Sequence, residues 1–225
     1  SAEMGDYVHK ISDEAPADVA IYFDAIVAQR FPVKARRQIL RIGGPRPLDR
    51  LYGDDIEALR EGLSQFHAVI ALNSELYLRA SRVHRNVHLI PNALDLTEWT
   101  PKARKVDEDR PYTIGFAASL KSSAEAEVKG LAIAEGATRR LGATLLRTSK
   151  GKEQIAHDRM IPDFYSKIDV LMHPCGPGRE GTSNVIMEAM ALGLPVITTP
   201  HCGLHAELVI DGKNALIRDR NEMEF

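Results

Sequence analysis

Two glutamates eight positions apart, Glu180 and Glu188, enclose the run Gly181-Thr182-Ser183-Asn184 and lead into an Ala/Met/Leu-rich stretch. The residues between them are small or helix-capping types, so the pattern reads as a loop turning into a helix. One acid stands just before that helix and the other inside its first turns. The first amides of a helix lack intrahelical partners and its dipole favours negative charge there, which makes such a turn an anion site. An acid one or two turns further on can accept hydrogen bonds from a ribose, as the acid of a dinucleotide fold does from its own position. A phosphate cradle beside a hydroxyl acceptor suits a nucleotide-linked ligand. Spacing alone leaves a competing reading, two solvated acids, and the flanking sequence has to decide between them.

The elements that must position these residues follow from hydrophobic patterning. Short apolar runs alternate with helical patterns, the signature of a parallel sheet covered by helices. Strands are expected at 18–23, 38–42, 68–72 and 87–90, then in a second series at 113–117, 144–147, 170–173, 196–199 and 215–217. Several are apolar throughout, as strands buried on both faces are. Helices are expected at 55–66, 74–82, 129–141, 162–168, 184–192 and 204–209. Between the two series, residues 100–111 are charged, aperiodic and bracketed by Pro101 and Pro111, a linker composition. The sequence therefore divides near 105 into a first domain, 1–104, and a second, 105–225. Two such units make a cleft between their strand ends, where ligands of open α/β sheets bind. Glu180 follows the strand at 170–173 and belongs at such an edge.

Composition narrows the classes. The 225 residues carry a formal net charge of −2, with 44% hydrophobic and 27% charged residues. That balance gives no overall attraction to nucleic acid or membrane. No apolar run approaches the roughly 20 residues that span a bilayer, and the first residues lack the basic and apolar regions of a signal peptide. Cys175 and Cys202 are the only cysteines, each at the end of an apolar run. They read as free packing thiols of a cytoplasmic protein, with no disulfide framework or zinc pattern.

Four segments agree in order and spacing: Ile90-Pro91-Asn92-Ala93-Leu94-Asp95; Lys129-Gly130-Leu131; the run from Phe164 to Cys175; and the run from Glu180 to Thr199, continuing through Gly203, Glu207 and Asn214. Together they resemble the retaining glycosyltransferases of family four, whose E-x7-E pair carries matching flanks on both sides. The resemblance covers roughly residues 67–219 and is strongest over 164–214. It implies a GT-B-like α/β fold of two Rossmann-like parallel-sheet domains facing a cleft. The first would be an acceptor-side domain and the second the donor-binding one.

The resemblance also implies roles. Glu180 matches the acid that contacts the donor sugar near its anomeric end, and Glu188 the acid that binds the ribose hydroxyls. Gly181, Thr182, Ser183 and Asn184 match the loop beside sugar and diphosphate, with Ser119 joining the donor-binding set. Lys129 resembles the lysine that neutralises the diphosphate as it leaves. No metal or other cofactor is expected, and the partners are a nucleotide-sugar donor and a glycan, lipid or small-molecule acceptor, not nucleic acid. Lys129 has the competing reading of a solvated lysine at a helix start, and Glu207 that of an ordinary first-turn acid. His173 reads as a satisfied strand-end histidine, and Pro91 and Asn92 as shapers of a turn.

Departures from the family pattern are expected to matter. Its usual arginine before the lysine is absent between Gly115 and Lys129, leaving Lys121 as the second positive charge. Gly43 and Gly44 stand where many members carry an acceptor-side histidine, and the family's opening strand and glycine-rich turn are not visible, so the first domain is expected to be incomplete. Lys34, Arg36, Arg37, Arg41, Arg46 and Arg50 form a basic run that suits an anionic acceptor or peripheral membrane contact. A solvated face balanced by Asp49, Asp54, Asp55 and Glu57 competes with that. Two other functions stay open beside glycosyl transfer: a sugar-nucleotide-binding module without turnover, and a sugar-nucleotide epimerase.

Overall fold

The computed structural model describes residues 17–101, 110–120, 122–149, 153–177, 180–203 and 208–220. Their contacts form two compact units, one of residues 17–43 and 47–90, the other of 44–46 and 91–220. The expected boundary near 105 falls within 102–109, outside the described residues.

The first unit holds β1 (Ala17–Tyr22), α1 (Ala25–Arg30), β2 (Ala35–Ile42), all but the first two residues of α2 (Pro45–Tyr52), α3 (Ile56–Ser64), β3 (Ala68–Ala71), α4 (Ser74–Ser81) and β4 (Val87–Leu89). Its sheet is parallel in the order β1-β2-β3-β4. Leu40, Leu48, Leu63, Val69 and Leu76 are buried at its centre. The patterning missed α1 and α2. α1 has six residues, too few to show a period, and is held by its Asp24 cap; α2 opens on Pro45 with Pro47 two residues on, a pair that reads in sequence as a turn. Within the basic region Arg41 lies over the Phe23 ring, 5.4 Å from its centroid. Of the expected counter-charges, Asp49 pairs with Arg79 and Asp55 caps α3.

The second unit holds β5 (Thr113–Ala117), α5 (Ser123–Lys129), α6 (Leu131–Leu141), β6 (Thr144–Thr148), α7 (Met160–Asp163), β7 (Val170–His173), α8 (Asn184–Ala191), β8 (Val196–Thr198) and β9 (Leu216–Ile217). All pairings are parallel, in the order β6-β5-β7-β8-β9. β5 and β7 are buried at every position. Alternate residues of β7 face opposite ways: Leu171 packs with Phe164, Tyr165 and Ile186, whereas Val170 and Met172 pack with Ile114 and Phe116. This two-sided burial explains the continuous apolar runs. Asp169 ties the strand starts together, accepting from the Thr113 amide at 2.7 Å and from both terminal nitrogens of Arg110. The α/β class with two parallel sheets is as the sequence implied.

Two expected helices differ. The one placed at 129–141 is two, because Gly130 adopts φ +77° and both ends α5 and starts α6. Lys129 thus closes a helix, where the dipole favours a cation, instead of opening one. The helix placed at 162–168 is the short α7 between two 3-10 turns, His157–Arg159 and Tyr165–Lys167. Most of the helix expected at 204–209 lies outside the described residues. Among the described residues no helix is long and apolar enough to cross a membrane.

Candidate active site

Of the expected site residues, the described ones lie towards the carboxyl edge of the second sheet. β7 ends at His173, and α8 begins at Asn184 with Ser183 as its N-cap. The Ser183 hydroxyl does not cap the helix; it lies 3.3 Å from His173 Nε2. Gly181 and Ser183 are buried, and Asn184 is exposed. Asn184 Oδ1 accepts from Asn92 Nδ2 at 2.9 Å, so the Pro91-Asn92 segment, read from sequence as a turn, also fixes a side chain of this loop. Ser119 is half-buried just beyond β5, on the same sheet edge. Lys121 and Glu207 lie outside the described residues.

Glu180 is the centre of the arrangement. The Lys129 ammonium donates to its Oε1 and forms an ion pair with it. Cys175 Sγ lies 3.7 Å and His173 Nε2 3.6 Å from the same oxygen. Two glycines make the meeting possible. A Cβ on Gly130 would stand 2.4 Å from the Pro174 carbonyl oxygen, so only glycine lets the α5–α6 turn pass under that loop. A Cβ on Gly203, itself at φ +71°, would stand 2.6 Å from the Glu180 carbonyl oxygen. The end of α5 is further tied to the loop by the Gly176 amide, which donates to the Val128 carbonyl at 2.8 Å.

His173 is 2% exposed, and its pKa is pushed down to about 3, first by burial and then by the Lys129 charge. Its imidazole is therefore neutral at ordinary pH. The sequence reading of a satisfied strand-end histidine accounts for the burial and not for its place beside Glu180.

Glu188, one turn into α8, is 5% exposed. Its Oε2 accepts from the Tyr165 hydroxyl at 2.6 Å, and His157 Nε2 lies 3.7 Å from Oε1. Burial, then the Glu188 charge, raises the Tyr165 pKa well above that of a free phenol, so the hydroxyl keeps its proton and donates. Trp99 packs edge-on against both Tyr165 and His157, ring centroids 5.7 Å apart in each case. Sequence reasoning gave Tyr165, His157 and Trp99 no role. The approach of Tyr165 to Glu188 joins residues 23 positions apart and leaves no local signal.

The arrangement combines a lysine–carboxylate pair, a helix N-terminus with no side-chain cap, and a buried acid oriented by a phenol. It suits a ligand with an anionic centre and hydroxyls on one side. Residues 117–225 match the family model described as "Glycosyl transferases group 1". No curated protein matches the chain. Among solved structures, Anabaena Alr3699/HepE in complex with UDP-glucose is similar at 17% identity and a TM-score of 0.63, over 98% of this chain and 68% of that one. TarM is similar at 14% identity and a TM-score of 0.65, over 97% of this chain and 48% of that one. A glycosyltransferase from Rickettsia africae is similar at 13% identity and a TM-score of 0.57, over 98% and 65%. At these identities the likeness concerns the fold, the two-sheet α/β architecture of GT-B glycosyltransferases.

Proposed function

We propose that the chain is a glycosyltransferase of family four, moving a sugar from a nucleoside-diphosphate sugar to an acceptor hydroxyl with retention at the anomeric carbon. The observation that carries the reading is the Lys129–Glu180 pair set at the head of α8, one turn below the buried Glu188. The group 1 match of residues 117–225 and the UDP-glucose held by HepE, a protein of the same fold, support it.

The diphosphate sits against the 181–184 backbone and the α8 dipole, with the Lys129 ammonium beside it and Ser119 and Lys121 completing the donor side. Glu188 accepts from the ribose hydroxyls, held in place by Tyr165. Glu180 orients the donor sugar. As the bond from the anomeric carbon to the phosphate oxygen lengthens, positive charge grows on the sugar ring and negative charge on the diphosphate. Lys129 and the helix N-terminus stabilise the leaving group electrostatically and the acceptor oxygen takes the anomeric position, its proton passing to the departing phosphate oxygen. The positive charge comes from the protein, so the reaction needs no metal. The acceptor is a glycan, lipid or small molecule met in the cytoplasm or at its membrane face.

Glu188→Ala should weaken donor affinity, measured by calorimetry with UDP-, GDP-, ADP- and CMP-linked sugars; unchanged affinity removes Glu188 from the site. Glu180→Ala should lower turnover more than binding, and wild-type turnover in that variant would refute its assignment.

A further inference from the structure

Three side chains of different chemistry converge on one point beside the Lys129 ion pair. His173, Cys175 and Glu180 offer a ring nitrogen, a thiol sulfur and a carboxylate oxygen, all within 4.8 Å of one another. Two of them are rigidly placed. His173 ends β7, its carbonyl accepting from Thr198 Oγ1 at 3.0 Å, and the Cys175 carbonyl accepts from Thr199 Oγ1 at 2.6 Å. Gly203 presses against the backbone of Glu180 from the other side. Both His173 and Cys175 are buried, and Glu180 reaches the point from the more open, Lys129-lined side.

A tetrahedral zinc site has Zn–N and Zn–O distances of about 2.0–2.2 Å and Zn–S of about 2.3 Å, so neighbouring ligand atoms stand roughly 3.4–3.6 Å apart. Glu180 Oε1 lies 3.6 Å from His173 Nε2 and 3.7 Å from Cys175 Sγ, close to those separations. Imidazole, thiolate and carboxylate are all ligands that zinc accepts, and three protein ligands leave a fourth position for water.

We propose that His173, Cys175 and Glu180 form a binding site for a thiophilic divalent cation, Zn2+ foremost, and that the cation competes with Lys129 for Glu180. On binding, the Cys175 thiol gives its proton to solvent and its sulfur coordinates as thiolate, while the Lys129 ammonium leaves Glu180 and turns outward, still charged. The cation occupies the place of the lysine and is an antagonist of the site instead of its catalyst. That consequence rests on the transferase reading; the binding itself does not.

The test uses the whole chain, stripped with a chelator and titrated with Co2+, followed by displacement with Zn2+. One equivalent should bind with a thiolate-to-cobalt charge-transfer band in the near ultraviolet. Cys175→Ser should abolish the band and Cys202→Ser should keep it. Lys129→Met should tighten Zn2+ binding by roughly tenfold, the effect of removing a competing charge held close to a partly buried carboxylate. His173→Gln should weaken binding; should that variant not fold, the near-isosteric Cys175→Ser carries the test. A band that survives in Cys175→Ser, no bound equivalent, or unchanged or weaker binding in Lys129→Met overturns the proposal. None of these readouts depends on turnover, so a failed cation site and a failed transferase assignment are told apart.

Discussion

At the scale of single residues, the buried acid Glu188 takes its one short hydrogen bond from Tyr165, with His157 farther off on its other oxygen. The Tyr165 hydroxyl donates to it at 2.6 Å in a setting where both are nearly closed to water. Tyr165→Phe keeps the ring packing against Trp99 and Phe164 and removes that bond together with the longer one, 3.4 Å, from the same hydroxyl to the Val185 carbonyl. A hydrogen bond to a charged group contributes about 1.5–3 kcal/mol, so urea unfolding should register a loss of that order, with weaker donor affinity alongside. A variant as stable as the parent would show that water replaces the phenol. His173 makes a second, pH-dependent prediction. Unfolded, its imidazole takes up a proton near pH 6.5; folded, it does so only near about 3. Between those values the unfolded state binds more protons, so the histidine's contribution to stability is full above about pH 6.5 and drains away as pH falls towards 3. In His173→Gln the urea midpoint should fall less steeply over that window than in the parent, and parallel slopes would reject the account. The two acids and their loop could be read from the chain, because their spacing is local. The phenol, the indole and the histidine that surround them could not, since they arrive from separate elements.

At the scale of elements, placement of the ion pair is decided by turns more than by helices. Lys129 ends α5 and meets Glu180 only because Gly130 turns the chain under Pro174 at φ +77°. Gly203 allows the opposite approach, with Glu180 backbone atoms where a Cβ would have to sit. Gly203→Ala combines a left-handed backbone with a contact onto main chain, which no rotamer relieves. Such a change should cost about 1–3 kcal/mol and shift Glu180, so both the thermal midpoint and turnover should fall, whereas Gly142→Ala, strained at φ +60° but with open space around it, should lower the midpoint and spare turnover. Equal loss of turnover in the two variants would remove the positioning role from Gly203. The break between α5 and α6 also shows where sequence reading lost detail. Ser122 caps α5 by accepting from the Glu125 amide at 3.2 Å, and the Ser-x-x-Glu pattern that announces such a start is present in the chain. A helix begun at 129 overlooks that pattern and puts the lysine at the wrong pole of a dipole. The buried strands at 113–117 and 170–173 were legible because burial on both faces leaves a short run that is apolar but for Thr113 and His173 at its ends, a signal that does not depend on partners far away.

At the scale of the molecule, the site belongs to one of two separately packed units. Leu40, Leu63 and Leu76 form the core of the first; Phe164, Leu171 and Ile186 on one face of the second sheet, with Phe116 and Met172 on the other, form the core of the second. Lys129, Glu180, the 181–184 loop and Glu188 all lie in the second unit, which is also where the group 1 match falls. A donor that uses these residues stabilises the structure they hang from. At about 100 times its dissociation constant it adds about 2.7 kcal/mol to whatever unfolding breaks the site. Amides of β5, β7 and β8 exchange through such unfolding and should slow when the matching nucleoside diphosphate is added. Amides of β2 and β3, whose burial rests on the other core, should slow less. Hydrogen exchange resolved by segment, with UDP, GDP, ADP and CMP compared, reads both quantities in one experiment and identifies the base. Protection concentrated in β2 and β3 would place the nucleotide against the first unit, and the assignment of Glu180, Glu188 and Lys129 to the donor would then fall with it.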